Sequence, residues 1–216
     1  MTSQRARDRL AEQIQAMGVR SEAVLDAIRF TPRHVFVDEA LYTRAYDNSP
    51  LPIGLGQTIS QPYIVARMTE LLLDMPEQHN ALPPAKVLEI GTGCGYQTAI
   101  LAQLVATVFT VERIAPLARQ AEQRLSAMGL NNIHYLHGDG YLGWPEHAPF
   151  DAVLVSAAPP WLPPALIEQL RPGGVLVIPV GNNQAQQLLR VRKTAKGHIQ
   201  EMLEWVSFVP LRAGIT

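Results

Sequence analysis

The chain has 216 residues, enough for one domain with a sizeable core and a small appendage. A formal net charge of -1 and a pI near 6.6 create no field that would gather nucleic acid or an anionic membrane, so neither is expected as a partner. The single cysteine, Cys94, excludes an intramolecular disulfide and any Cys-rich metal set, which points to a reducing, cytoplasmic compartment, and no apolar run approaches the roughly 18 residues of a membrane span.

Arg5, Arg7 and Arg9 are interrupted by Asp8 and Glu12, so the start reads as an ordinary helix rather than a targeting segment. Leu10, Ile14 and Met17 recur at helical spacing before Gly18, and Ser21 caps a second helix carrying Val24, Leu25 and Ile28 that Thr31-Pro32 breaks. Val35, Phe36, Leu41 and Tyr42 mark a short third element around Asp38-Glu39. Periodicity is then lost over residues 43–60, where Pro50, Pro52, Gly54 and Gly56 predict a long loop of the kind that covers a site. Pro62 suits the first position of the next helix, whose apolar face is Ile64, Val65, Met68, Leu71, Leu72 and Met75. Spacing alone favours Ser60 and Gln61 as helix caps, although a helix N-terminus with free N–H groups is also a good carboxylate site.

From there strands and helices alternate. Pro83-Pro84 precede a buried strand at 87–90, and Ala99, Ile100, Leu101 and Leu104 supply a helix. Strands follow at 107–111, 133–136, 151–155 and 175–178. A helix with Leu117, Ala118, Ala121 and Leu125 stops at Gly129, and a short one spans 165–170 before the predicted turn Arg171-Pro172-Gly173-Gly174. Stretches 187–192 and 202–209 face each other across Lys196-Gly197 as a hairpin. This predicts an α/β, Rossmann-like, doubly wound and mostly parallel sheet with helices on both faces, a C-terminal antiparallel hairpin and an N-terminal helical appendage. The expected organisation is residues 1–60 as helices and covering loop, and 61–216 as the core of one compact unit.

Ligands of such sheets bind at the carboxyl ends of the strands. There stand Gly91-Thr92-Gly93-Cys94-Gly95, Glu112-Arg113, Gly138-Asp139-Gly140 and Ser156-Ala157-Ala158. Glu112 lies 21 positions beyond Gly91, near the spacing at which an acidic residue accepts both hydroxyls of a ribose. Asp139 can accept from an amino group such as that of adenine. Read structurally, Glu112 is a helix N-terminal charge and Asp139 a turn former. A dinucleotide fingerprint wants a small residue where Tyr96 stands, so the glycine pattern suits S-adenosyl-L-methionine, which has no phosphate, better than a dinucleotide.

The strings PLPIGLGQTISQPYIVARMTELL, VLEIGTGCGYQTAILA, VERI, HGDGYLGWPEHAPFDAVLVSAAPP, LRPGGVLVIPVG and FVPL resemble, in order and nearly end to end, the bacterial protein-L-isoaspartate O-methyltransferases. The specific part is GQTISQP; the other strings occur more loosely across S-adenosylmethionine-dependent methyltransferases. The resemblance implies methyl transfer to the free carboxylate of isoaspartyl residues in damaged proteins, the ester then collapsing to a succinimide that partly reopens as aspartate. It implies Ser60 as the active-site residue, with Gln57, Thr58, Ile59 and Ser60 itself lining the same pocket as cofactor-binding residues. It further implies Gly91, Thr92, Gly93 and Gly95 as the cofactor loop, Glu112-Arg113 at the ribose, Asp139-Gly140 at the adenine side and Val209-Pro210-Leu211 as a closing strand. Cys94 and Arg212 depart from the common pattern. A monomer is expected.

Other site readings are weaker. Cys94 has no identifiable base partner and reads as a packed turn residue. His134 and His137 lack zinc spacing, and no metal is expected. Ala158-Pro159-Pro160-Trp161 is similar to a motif of DNA amino methyltransferases, but alanine cannot accept from a base amino group. A nicotinamide oxidoreductase and a non-catalytic binding module are the alternatives, disfavoured by Tyr96 and by the intact GQTISQP segment respectively.

Overall fold

The computed structural model describes residues 4–74 and 84–216; Met75 and Pro83 lie outside them. In chain order the elements are α1 (Gln4–Ala16), α2 (Glu22–Phe30), β1 (Leu51–Gly54), β2 (Gln57–Ile59), α3 (Pro62–Leu73), β3 (Lys86–Ile90) and α4 (Tyr96–Ala102). There follow β4 (Thr107–Glu112), α5 (Ala115–Ala127), β5 (Ile133–His137), β6 (Phe150–Val155), α6 (Pro164–Glu168), β7 (Leu170–Gly181), β8 (Gln186–Thr194) and β9 (Gly197–Val206).

One sheet runs in the order β5-β4-β3-β6-β7-β8-β9, and β1 and β2 form a separate hairpin. The five strands from β5 to β7 are parallel neighbours, and β8 and β9 close the sheet antiparallel. The chain winds outward from β3 and then returns to its other side as β6. That reversal opens a crevice at the carboxyl ends of β3 and β6, where such sheets take ligands.

Alternating side chains divide the strands between two cores, as the pleat requires. Val87, Val108, Ala152, Leu154, Val175 and Val177 face one way, onto a layer that includes Leu10, Ile14, Leu25, Leu72, Ile100 and Leu125 from α1 to α5. Leu88, Ile90, Phe109, Val111, Val153, Val155, Leu176 and Ile178 face the other, against Leu166 of α6 and the loops around it. Helices thus cover both faces, unevenly. The N-terminal helices share their core with the sheet, so they form part of its main covering layer.

Three local readings change. The stretch expected to be loop over 43–60 contains the β1-β2 hairpin, paired Leu51 to Ile59 and Pro52 to Thr58, and turned through Leu55 and Gly56 at φ 53° and 70°. Strands this short, carrying Pro52 and Gly54, give no readable period. The predicted turn Arg171-Gly174 lies inside β7, where the register shifts between the Phe150–Leu170 and Ala152–Val175 pairs and Gly173 takes φ 78°. Its glycines serve a strand irregularity. The third N-terminal element is two 3-10 turns, Arg33–Phe36 and Glu39–Arg44, the second capped by Asp38 through the Ala40 N–H at 2.9 Å.

Candidate active site

At the end of β3 the chain turns through Gly91, Gly93 and Gly95, with φ of 92°, 54° and 90°, values that side chains resist. The Gly91 N–H donates to the Val111 carbonyl at 2.8 Å and that of Gly95 to the Thr92 carbonyl at 2.8 Å. Gly91, Thr92, Gly93 and Cys94 line a cavity at the crevice. Gly95 stands apart from it. A Cβ there would lie 3.0 Å from Leu125 Cδ1, so Gly95 lets α4 and α5 pack closely. That is the task of the third small residue in a dinucleotide fingerprint, done one position early. Tyr96 can therefore be large, and it is fully buried.

Glu112, at the end of β4, is 6% exposed and lines the same cavity. Its Oε2 accepts from the Gly93 N–H at 2.8 Å and its Oε1 from the Ile114 N–H at 2.9 Å. The carboxylate thus ties the glycine turn to the N-terminus of α5, and each oxygen keeps an acceptor direction for a ligand. The reading of Glu112 as a charge at a helix N-terminus is met by the Ile114 contact, and the free acceptor directions are compatible with the ribose reading. Arg113 also lines the cavity, and its Nε donates to the Gly214 carbonyl at 3.1 Å.

Asp139 is not in the cavity wall. Its Oδ1 accepts from the Tyr141 N–H at 2.9 Å and its Oδ2 from the Gly214 N–H at 2.6 Å. It shapes the turn and holds the C-terminal tail. The neighbouring Gly140 does line the cavity, and a Cβ on it would lie 2.5 Å from Ile90 Cγ2.

The opposite wall comes from the N-terminal hairpin: Gln57, Thr58 and Ile59 of β2, then Ser60. Ser156, Ala157 and the segment Val209-Pro210-Leu211 complete it. That segment is fastened across β6's end by the Ala158 N–H to the Val209 carbonyl and the Leu211 N–H to the Ala158 carbonyl, both 2.8 Å. The capping expected of Ser60 and Gln61 is absent. Gln61 makes no side-chain cap, and the Tyr63 N–H is taken at 3.0 Å by Asn48 Oδ1, which is far away in sequence. Pro62 has no N–H and that of Val65 goes to the Gln61 carbonyl, so the start of α3 offers few donors. Among the described residues the Ser60 hydroxyl has no hydrogen-bond partner and stands free in the wall. Ile53, Gln97 and Ile114 also line the cavity, although the motifs that contain them assign them no role.

Beneath the turn Glu89 is fully buried, its Oε2 accepting from Thr98 at 2.5 Å and Thr110 at 2.7 Å. Thr110 spends its proton on Glu89, so Thr92 donates to Thr110 at 2.6 Å. Burial pushes the Glu89 carboxyl up to about 7, against the two hydroxyls that hold its charged form. Burial likewise raises the Cys94 thiol, consistent with a packing residue and not a nucleophile. Among the described residues no group of three or more His, Cys, Asp or Glu side chains is placed to hold a metal ion.

The profile of the "Protein-L-isoaspartate(D-aspartate) O-methyltransferase (PCMT)" family matches residues 5–215. A protein-L-isoaspartate O-methyltransferase of Halorhodospira halophila is 55% identical over 214 residues, 99% of this chain and 94% of that one. Its counterpart from Saccharophagus degradans is 55% identical over 217 positions, 100% of this chain and 95% of that one. A solved protein-L-isoaspartate O-methyltransferase superposes with TM-score 0.85 at 24% identity, covering 97% of this chain and 67% of that one, and so shares the fold. A Plasmodium falciparum structure described as a complex with S-adenosyl-L-homocysteine superposes with TM-score 0.80 at 24% identity, covering 95% and 98%. The chain belongs to the protein-L-isoaspartate(D-aspartate) O-methyltransferase family.

Proposed function

We propose that the protein methylates the free carboxylate of L-isoaspartyl residues in damaged proteins, with S-adenosyl-L-methionine as donor, and so starts their repair. The observation that carries this reading is one cavity shared by the glycine turn, the Glu112 carboxylate and the wall formed by residues 57–60. The donor fits that cavity. Glu112 presents an acceptor direction on each oxygen, as a ribose diol requires, and Gly140 lines the cavity at a point where a Cβ would collide with Ile90. Gly91, Thr92 and Gly93 would hold the amino-acid end, Glu112 and Arg113 the ribose, and Gly140 the adenine side. Gly95 and Asp139 support these groups from behind. When bound, the cofactor supplies an electrophilic methyl group on a sulfonium.

The remaining work falls to the chain. A carboxylate with an ordinary pKa near 4 is already ionised at neutral pH, so the site needs no general base. It must hold one oxygen in place and keep water out. The Ser60 hydroxyl, unpartnered in the wall, donates to the substrate carboxylate, and Gln57, Thr58 and Ile59 shape the slot. Val209-Pro210-Leu211 and the hairpin cover it. Within residues 1–60 the β1-β2 hairpin faces the substrate while the helices pack on the sheet, residues 61–216 carry the glycine turn and Glu112 that hold the cofactor, and the shared core makes them one working unit. The protein acts as a monomer in the cytoplasm on isoaspartyl proteins and peptides; no described helix is long and apolar enough to cross a membrane.

Mass spectrometry of a treated isoaspartyl peptide tests the reading: it should gain one methyl group, removable by mild base as an ester is. A base-stable methyl, or none, contradicts it. Ser60→Ala should lower turnover roughly 10-fold or more, the worth of one hydrogen bond to a charged group, with cofactor affinity within about twofold. Unchanged turnover removes Ser60 from the mechanism.

A further inference from the structure

Arg33, in the first 3-10 turn, is the largest of the fully buried side chains, with no exposed surface. Among the described residues no carboxylate lies within ion-pair distance of it. Buried charges are costly and are ordinarily paired, so a naked internal cation calls for an explanation. What surrounds this one is specific. Nη1 donates to the Ser60 carbonyl at 2.9 Å and Nη2 to the Ser49 carbonyl at 3.1 Å, while Nε has no partner. The guanidinium lies 5.1 Å from the centroid of the Tyr96 ring, which offers its negative face. The Tyr96 hydroxyl is itself buried and unpartnered.

Ser49 and Ser60 are the two feet of the β1-β2 hairpin. One planar fork therefore clamps both ends of the element that carries the substrate-side wall, a geometry that arginine can provide and lysine cannot copy. The clamp alone does not require a charge, since a neutral donor could hold a carbonyl. The charge sits one layer behind Ser60, in a low-dielectric core where its field is poorly screened. It is partly offset there by two carbonyl dipoles and an aromatic face.

We propose that Arg33 is a positioning residue that makes the Ser60 wall selective for a carboxylate: it fixes both feet of the hairpin, and its charge is balanced when an anionic substrate enters. This rests on the reading of Ser60 as the substrate-carboxylate residue. Arg113 and Arg212 line the cavity elsewhere, but the wall at residues 57–60 carries no cation of its own, and the buried charge explains how that wall distinguishes an isoaspartyl carboxylate from the neutral amide of an isoasparaginyl residue of nearly the same shape. A purely structural clamp would bind both peptides less well on being lost. A charge device changes their ratio.

The test measures binding by calorimetry, with S-adenosyl-L-homocysteine present so that nothing turns over, of an isoaspartyl peptide and its isoasparaginyl twin. The proteins are wild type, Arg33→Met and Arg33→Lys. Wild type should prefer the carboxylate peptide. In Arg33→Met, which keeps volume and loses charge, the preference should fall at least fivefold while affinity for S-adenosyl-L-homocysteine stays within about twofold. Arg33→Lys keeps charge and loses the fork, so it should retain most of the binding preference and, in a separate methyl-transfer assay with S-adenosyl-L-methionine, show lower kcat. Equal weakening of both peptides in Arg33→Met, or an unchanged ratio, overturns the proposal. If Arg33→Met does not fold, Arg33→Lys decides: a preference lost despite the retained charge, or wild-type kcat, overturns it. A wild type that binds neither peptide refutes the functional reading itself, and the proposal falls with it.

Discussion

Replacing Glu112 with glutamine tests how much of the cofactor side rests on one carboxylate. The substitution keeps shape and removes one acceptor, because glutamine offers a carbonyl on one branch and an NH2 on the other. In the native chain both oxygens are used, at 2.8 Å by the Gly93 N–H and at 2.9 Å by the Ile114 N–H. Whichever way the amide is turned, one backbone N–H meets an NH2 and is left unsatisfied at a site that is 6% exposed. A hydrogen bond to a charged group is worth about 1.5–3 kcal/mol. For a chain of this size each kcal/mol moves Tm by about 2–4 °C, so a fall of roughly 3–12 °C is expected without ligand. The same lost acceptor removes one ribose contact, which converts to a loss of about 10- to 150-fold in affinity for S-adenosyl-L-homocysteine. Scanning calorimetry and titration calorimetry on the same preparation give both numbers. A variant with native Tm and native affinity refutes both the tie and the ribose assignment; a drop in Tm alone retains the tie and removes the ribose role.

Other consequences are separable. Gly140→Ala forces a Cβ to 2.5 Å from Ile90 Cγ2 at the end of β3, so chemical denaturation should show a loss of about 1–3 kcal/mol, and cofactor affinity should fall with it. Glu89, pushed to about 7 by burial, favours folding most when protonated. Its contribution is complete below the ordinary value of 4.5 and is lost as pH rises through about 7. Relative to Glu89→Gln, wild-type stability should therefore decline by roughly 3 kcal/mol over that window in urea titrations at stepped pH; a constant difference contradicts the burial argument. Cys94 should resist a thiol reagent in the native protein and react stoichiometrically after unfolding, because its thiol is buried and its pKa raised; prompt native labelling would show an open turn.

The core was legible because β3, β4 and β6 are largely apolar on both faces and β3 and β5 run into glycine. That run of signals at residues 87–95, 107–112 and 133–140 gives the crevice without any structure. What escaped has a physical cause in each case. The β1-β2 hairpin is too short for a period and carries Pro52 and Gly54. The Arg171-Gly174 glycines look like a turn because a strand irregularity asks for the same backbone freedom. The packing of Gly95 against Leu125 and the hold of Asp139 on the C-terminal tail are contacts between residues remote in sequence, which spacing cannot carry. The cap on α3 comes from Asn48 and the support of Ser60 from Arg33, both remote partners with no local signature.

The proposed reaction brings a methyl donor and an isoaspartyl carboxylate together in one cavity. The most direct measurement is transfer of labelled methyl from S-adenosyl-L-methionine to an isoaspartyl peptide and to its aspartyl twin of identical composition, under one set of conditions. Label is expected on the isoaspartyl peptide, with background counts on its twin. Equal labelling of the two, or none on either, contradicts that reaction.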